Sequence, residues 1–67
     1  MDRERLAKGL RKFRLQKKMT QQQVADKVGV HYSHISHWES GRRIPHLKYL
    51  SSLSEIYGVS LDDLTGR

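Results

Sequence analysis

The chain has 67 residues, no cysteine and a net charge of +6, from 13 Lys+Arg against 7 Asp+Glu. That length allows one domain, residues 1–67, burying only about 60% of its unfolded surface. No disulfide can form, no apolar run approaches the roughly 20 residues of a membrane span, and no signal-peptide pattern opens the chain, so a soluble, cytoplasmic protein with no membrane partner is expected.

The positive balance serves solubility or attracts a polyanion, usually nucleic acid. Its distribution favours the second. Between Lys27 and Ser54 the only acid is Glu39, whereas Arg42, Arg43 and Lys48 fall in that stretch.

The apolar spacing predicts an all-α chain of five short helices and no strand. The first covers about residues 2–18. Asp2 can cap it, Glu4 suits its positive end, and Leu6, Leu10 and Phe13 form its buried stripe, with Arg14 at the edge. The second covers residues 21–28. Thr20 and Gln23 form a capping box ahead of it, Val24, Ala25 and Val28 face inward, and Gly29 ends it in the left-handed conformation. The third covers about residues 32–40, starting near His31 or Tyr32. The fourth, about residues 46–57, follows Pro45, with Leu47, Leu50, Leu53 and Ile56 as its apolar side and Gly58 as its stop. The fifth, residues 61–65, starts from a second capping box between Ser60 and Asp63 and returns Leu61 and Leu64 to the core.

Only Gly29, Val30 and His31 separate helices two and three, which forces a steep crossing of roughly 90–120°. Ala25 suits the close approach, and Val24, Val28, Val30, Ile35 and Trp38 fill the wedge as core. With Ile35 and Trp38 inward, Ser33, Ser36 and His37 lie on the outer face of helix three, and Tyr32 projects from its first turn. That face is polar and uncharged. Such groups suit reading base edges in a DNA major groove, which admits one helix.

The segment TQQQVADKVGVHYSHISHWESGRRIP resembles the helix-turn-helix of the phage-repressor (Cro/Xre) family, and the likeness runs from about Leu10 to Leu64. It rests on the Gln opening helix two, the Ala, the turn Gly, the apolar positions, the W-E-x-G ending and the following Pro. The resemblance implies a compact five-helix repressor-like fold and a homodimer, at least on DNA, bound to a palindromic double-stranded operator. It implies base readout by Tyr32, Ser33, Ser36 and His37, and phosphate contacts by Gln21, Gln22, His31, Ser40, Arg42, Arg43 and nearby loop backbone. It also implies a salt bridge between Arg14 and Glu39. The chain departs from the family in placing His31 and His46 where Ser or Thr usually caps helices three and four; imidazole is a poorer cap.

His31, His34 and His37 recur in steps of three, which spreads them over about 120° of a helix. Metal-binding helices favour i,i+4 pairs, and Glu39 is the only nearby carboxylate, so no metal and no cofactor is expected. No histidine stands beside a nucleophile or paired acid, so no enzyme is expected either. His37 is expected to face DNA, His31 the phosphate rim, and His34 either to join that rim or merely to flank the core. Since imidazole titrates near ~6.5, binding should tighten as pH falls from about 8 to about 6. The competing class is a protein-interaction module of the same fold, such as an antitoxin or bridging factor. It would need an exposed apolar patch, for which Tyr49, Tyr57, Val59 and Leu61 are the candidates.

Overall fold

The computed structural model describes residues 2–66; Met1 and Arg67, the ends of the expected 1–67 unit, lie outside the described residues. Five helices carry the regular structure: α1 Arg3–Gln16, α2 Gln21–Val28, α3 Tyr32–Glu39, α4 Leu47–Tyr57 and α5 Leu61–Thr65. Each begins on a side-chain acceptor. Asp2 takes the N–H groups of Glu4 and Arg5, and Thr20 and Ser60 form reciprocal capping boxes with Gln23 and Asp63. His31 and His46 cap α3 and α4 through Nδ1, which accepts from Ser33 N at 3.2 Å and from Lys48 N at 3.1 Å. An imidazole thus does the work of the hydroxyl the family usually has there.

α1 stops two residues before the expected end at 18. Lys18 adopts the left-handed conformation with φ 56°. Its N–H then donates to the Leu15 carbonyl, while Met19 N–H donates to that of Arg14. This pairing is a Schellman ending with lysine where glycine is usual. α2 ends on Gly29 at φ 87°. No atom lies within 4 Å of where a Cβ would sit, so the glycine is required by its backbone angle and not by space.

α2 and α3 pack on each other, α1 supports α3 and α5, and α4 closes the far side against α2 and α5. Leu6, Leu10, Val24, Ala25, Ile35, Trp38, Leu50, Leu53, Tyr57 and Leu64 form the core. Gly9 lets α5 come close: a Cβ there would stand 3.0 Å from the Leu64 carbonyl oxygen.

Three expectations about this core need correction. Phe13 is only partly buried, because the inner stripe of α1 runs instead through Leu6, Ala7, Leu10 and Arg14. Leu47 is 64% exposed and Leu61 38% exposed. Both are the first residue of their helix, where the stripe has run past the edge of the bundle; Pro45, itself buried, lies at that end of α4. On α4 the stripe continues through Tyr57, with Ile56 partly buried. No described helix is long and apolar enough to cross a membrane.

Candidate nucleic-acid interface

From Tyr32 to Trp38, α3 carries no Asp, Glu, Lys or Arg. Tyr32 is 48% exposed and its ring rests against that of His31 at 4.6 Å between centroids. Ser33, Ser36 and His37 are half-buried on the same side. A backbone N–H can only donate, so the Ser33 N contact makes His31 Nδ1 an acceptor. The Ser33 hydroxyl, 2.8 Å from the same nitrogen, must then donate to it. This places the imidazole proton on the outward Nε2 and leaves Ser33 with lone pairs to present. His34 is exposed, its ring 6.2 Å from that of Trp38. Among the described residues no three His, Asp or Glu side chains converge as a metal-holding group.

The loop after α3 winds back over the helix end. The His37 carbonyl accepts from Arg42 N at 3.0 Å, from Arg43 N at 3.2 Å and from the Ser40 hydroxyl at 3.1 Å. Those two amides and that hydroxyl, expected to face phosphates, are therefore engaged within the protein. The side chains of Arg42 and Arg43 are exposed, and Arg42 Nη1 lies 3.5 Å from His37 Nε2. Guanidinium only donates, so that ring nitrogen is the acceptor.

Beneath the face lies a buried ion pair. Arg14 grips Glu39 through both arms, Nε–Oε2 at 2.7 Å and Nη2–Oε1 at 2.9 Å, and its third nitrogen donates to the Met19 carbonyl at 2.9 Å. The two side chains are 11% and 5% exposed. The bond to Glu39 raises the Arg14 pKa above its ordinary value. Burial pushes the nearby Tyr57 phenol up, with the Glu39 charge adding to it. Gln21 Nε2 also donates to Glu39, at 3.3 Å. One carboxylate thereby fixes α1, the first residue of α2 and the end of α3 relative to each other. Since it only accepts, it also forces the Gln21 amide to present its NH2. Gln22, exposed one residue on, donates to Asp26 at 2.8 Å.

This network floors an open cleft of about 330 Å³ lined by Arg11, Arg14, Gln21, Ser36, Glu39 and Ser40. Arg11 is the functional candidate that sequence reasoning missed. Its only signal is the helical step of three to Arg14, visible once Arg14 is known to lie against α3.

Residues 10–64 match the helix-turn-helix family of the Cro/CI type. The chain belongs to that family. The helix-turn-helix domain is 45% identical over 58 residues to an uncharacterized HTH-type transcriptional regulator, YqaE, of Bacillus subtilis, covering 87% of this chain and 50% of the relative. It is 36% identical to the HTH-type transcriptional activator BcrR of Enterococcus faecalis (82% and 27% covered). It is 33% identical to the cryptic phage CTXphi transcriptional repressor RstR of Vibrio cholerae (72% and 43% covered). Among solved structures it is similar to the clp gene regulator ClgR of C. glutamicum, with a TM-score of 0.83, 32% identity and coverage of 92% and 80%. The chain spans half or less of the length of the three curated relatives.

Proposed function

We propose that this helix-turn-helix domain is the sequence-specific double-stranded DNA-binding unit of a cytoplasmic transcriptional regulator, working by binding and not by chemistry. The observation that carries this is the uncharged, hydrogen-bonding face of α3. It is held rigidly from below by the Arg14–Glu39–Gln21 network and flanked by the exposed side chains of Arg42 and Arg43. α3 lies in the major groove. Tyr32, Ser36 and His37 reach base edges there, and Ser33 serves as an acceptor, suited to the amino groups of adenine or cytosine. Gln21, Gln22, Arg42, Arg43 and the outward Nε2 of His31 hold the backbone and set register; Ser40 joins them by exchanging its bond to His37.

Two copies would read the halves of a palindrome about one helical turn apart, ~34 Å. The backbone of one copy measures 27 × 23 × 20 Å, so side chains of neighbours at that spacing can meet. Repression is the output we infer, because a bound dimer over a promoter blocks polymerase. The Vibrio relative is named a repressor and the Enterococcus relative an activator. The interaction-module reading keeps little of its patch: Tyr57 is buried, Tyr49 packs on Trp38 and Val59 is partly buried, which leaves Leu61, 38% exposed, as the one exposed member.

Selection of binding sites from random duplex DNA tests the proposal. A palindromic consensus with half-sites one turn apart is expected. Recovery of no enriched sequence would overturn it.

A further inference from the structure

A second, larger cleft opens where the end of α1 turns into α2. It encloses about 500 Å³ and is lined by Lys17, Lys18, Met19, Gln23, Asp26 and Lys27. None of these residues belongs to α3, to the loop after it or to the groups assigned to DNA above. Gln23, Asp26 and Lys27 are exposed on the face of α2 opposite the buried Val24 and Ala25.

Three lysines in this cleft stand against one carboxylate, and Asp26 already accepts from Gln22 at 2.8 Å. Among the described residues the one ion pair is Arg14–Glu39, so none of the three lysines is neutralised. Lys17 Nζ leans toward the C-terminal end of α4, 3.9 Å from where a Cβ on Gly58 would stand, a place that favours a cation. Lys18 and Lys27 are left to face solvent. Lys18 also holds the left-handed conformation at φ 56°, which strains any side chain and which glycine adopts freely. A side chain that costs stability where it stands points to a use outside the fold. Between the lysines lies Met19, partly buried against the core. Its flexible thioether and the lysine stems make an adaptable apolar floor. A nucleic-acid backbone would meet the charges and leave that floor unfilled. A peptide with an apolar side chain between carboxylates satisfies both, and an ammonium takes a carboxylate without demanding paired geometry.

We propose that this cleft docks an acidic segment of a partner protein, with an apolar side chain on Met19 and carboxylates on Lys18 and Lys27. The site stays open while α3 lies on DNA, so the domain can hold an operator and a protein partner at once.

The probe is a short fluorescein-labelled peptide of Asp and Glu around a Leu–Phe pair, titrated by anisotropy with the chain alone and with the chain bound to its selected operator. Both should bind it, with affinities within about threefold at physiological salt, where the duplex charge is screened beyond ~8 Å. Lys18→Gly and Lys27→Gln should each weaken binding about threefold and together about tenfold, the scale of exposed ion pairs. Lys18→Gly should do so although it makes the fold more stable, which a purely structural role for Lys18 does not allow. Lys8→Gln, on α1 outside the cleft, should leave binding within error. Replacing the peptide's acids by Asn and Gln, or its Leu–Phe pair by Ser, should abolish most of it. In NMR spectra the peptide should shift the Met19 methyl and leave the α3 amides in place.

Competition between peptide and operator, or shifts centred on α3, would mean that the peptide imitates the DNA backbone, and the proposal would fall. It would fall equally if Lys18→Gly and Lys27→Gln flattened the salt slope on duplex DNA as Arg43→Ala does. A Met19 methyl shift that follows protein concentration alone would make the cleft a contact between copies and overturn docking of a foreign segment. So would absence of peptide binding to the chain alone. That arm contains no DNA, so its failure leaves the reading of α3 to its own test.

Discussion

Removing Glu39 tests the central mechanical element of the fold. In Glu39→Ala, Arg14 loses the bonds at 2.7 and 2.9 Å and keeps only the Met19 carbonyl, with 11% of its side chain in contact with water. Two charge-assisted bonds at about 1.5–3 kcal/mol each set the gross loss. Relief of the Glu39 desolvation offsets part of it, which leaves ~3–5 kcal/mol, the cost of stranding one member of a buried pair. A chain of 67 residues is stable by roughly 3–10 kcal/mol in all, so the urea midpoint should fall far, and at 37 °C much of the variant should be unfolded. A double variant, Arg14→Met with Glu39→Leu, separates stability from positioning. Without an orphaned charge it should regain most of the loss. Its DNA affinity should stay reduced, because the Gln21 amide no longer has its acceptor. A cost below about 1 kcal/mol for Glu39→Ala would mean that the pair behaves like a solvated surface ion pair, and the argument from its burial would fail.

Four further outcomes are expected. Arg43→Ala should weaken binding to all duplexes alike and reduce the salt slope by about one, whereas His37→Ala should cost about 1–3 kcal/mol on the operator and little on random DNA; anisotropy on both DNAs checks the split. Lys18→Gly should raise the urea midpoint by about 0.5–1 kcal/mol of stability, since the left-handed angle at φ 56° strains a side-chain residue. His46→Ser should stabilise by about 0.5–1 kcal/mol by restoring a hydroxyl cap to α4, as read by thermal melting. Tyr57 titrates above its ordinary value of 10.0 in the folded state. Above pH 10 the unfolded chain therefore loses a proton that the native state keeps, and stability falls as pH rises through that range. Tyr57→Phe should remove that component of the alkaline loss in urea melts taken at pH 9 and above.

What was legible in the sequence was local. A capping box needs only residues three apart, so Thr20–Gln23 and Ser60–Asp63 can be read directly, and both are present. The glycine stop of α2 likewise follows from its own φ preference. The left-handed Lys18 has no such signal: no glycine marks it, and two backbone hydrogen bonds compensate the strain. Periodicity also misjudged the ends of helices. It counts Leu47 and Leu61 as part of an apolar stripe but is blind to where the bundle stops. Arg11 was hidden for a related reason. In a helix that also carries Arg3, Arg5, Lys8, Lys12 and Arg14, nothing local separates one exposed cation from another; only the packing of α1 against α3 does.

The histidines show how the same residue types acquire different roles once geometry is fixed. His31 and His46 each use Nδ1 to accept a backbone N–H, so they serve first as caps. His37 presents Nε2 to Arg42 as an acceptor. On His31, Nδ1 accepts from both Ser33 groups, so the cap also fixes which ring nitrogen carries the proton. The capping duty and the backbone contact inferred for Nε2 part cleanly on substitution. His31→Ser keeps a cap and removes the Nε2 donor. Thermal melting should show stability held or slightly raised, while affinity should fall by the same factor on operator and on random duplex; unchanged affinity on both would refute a backbone contact by His31.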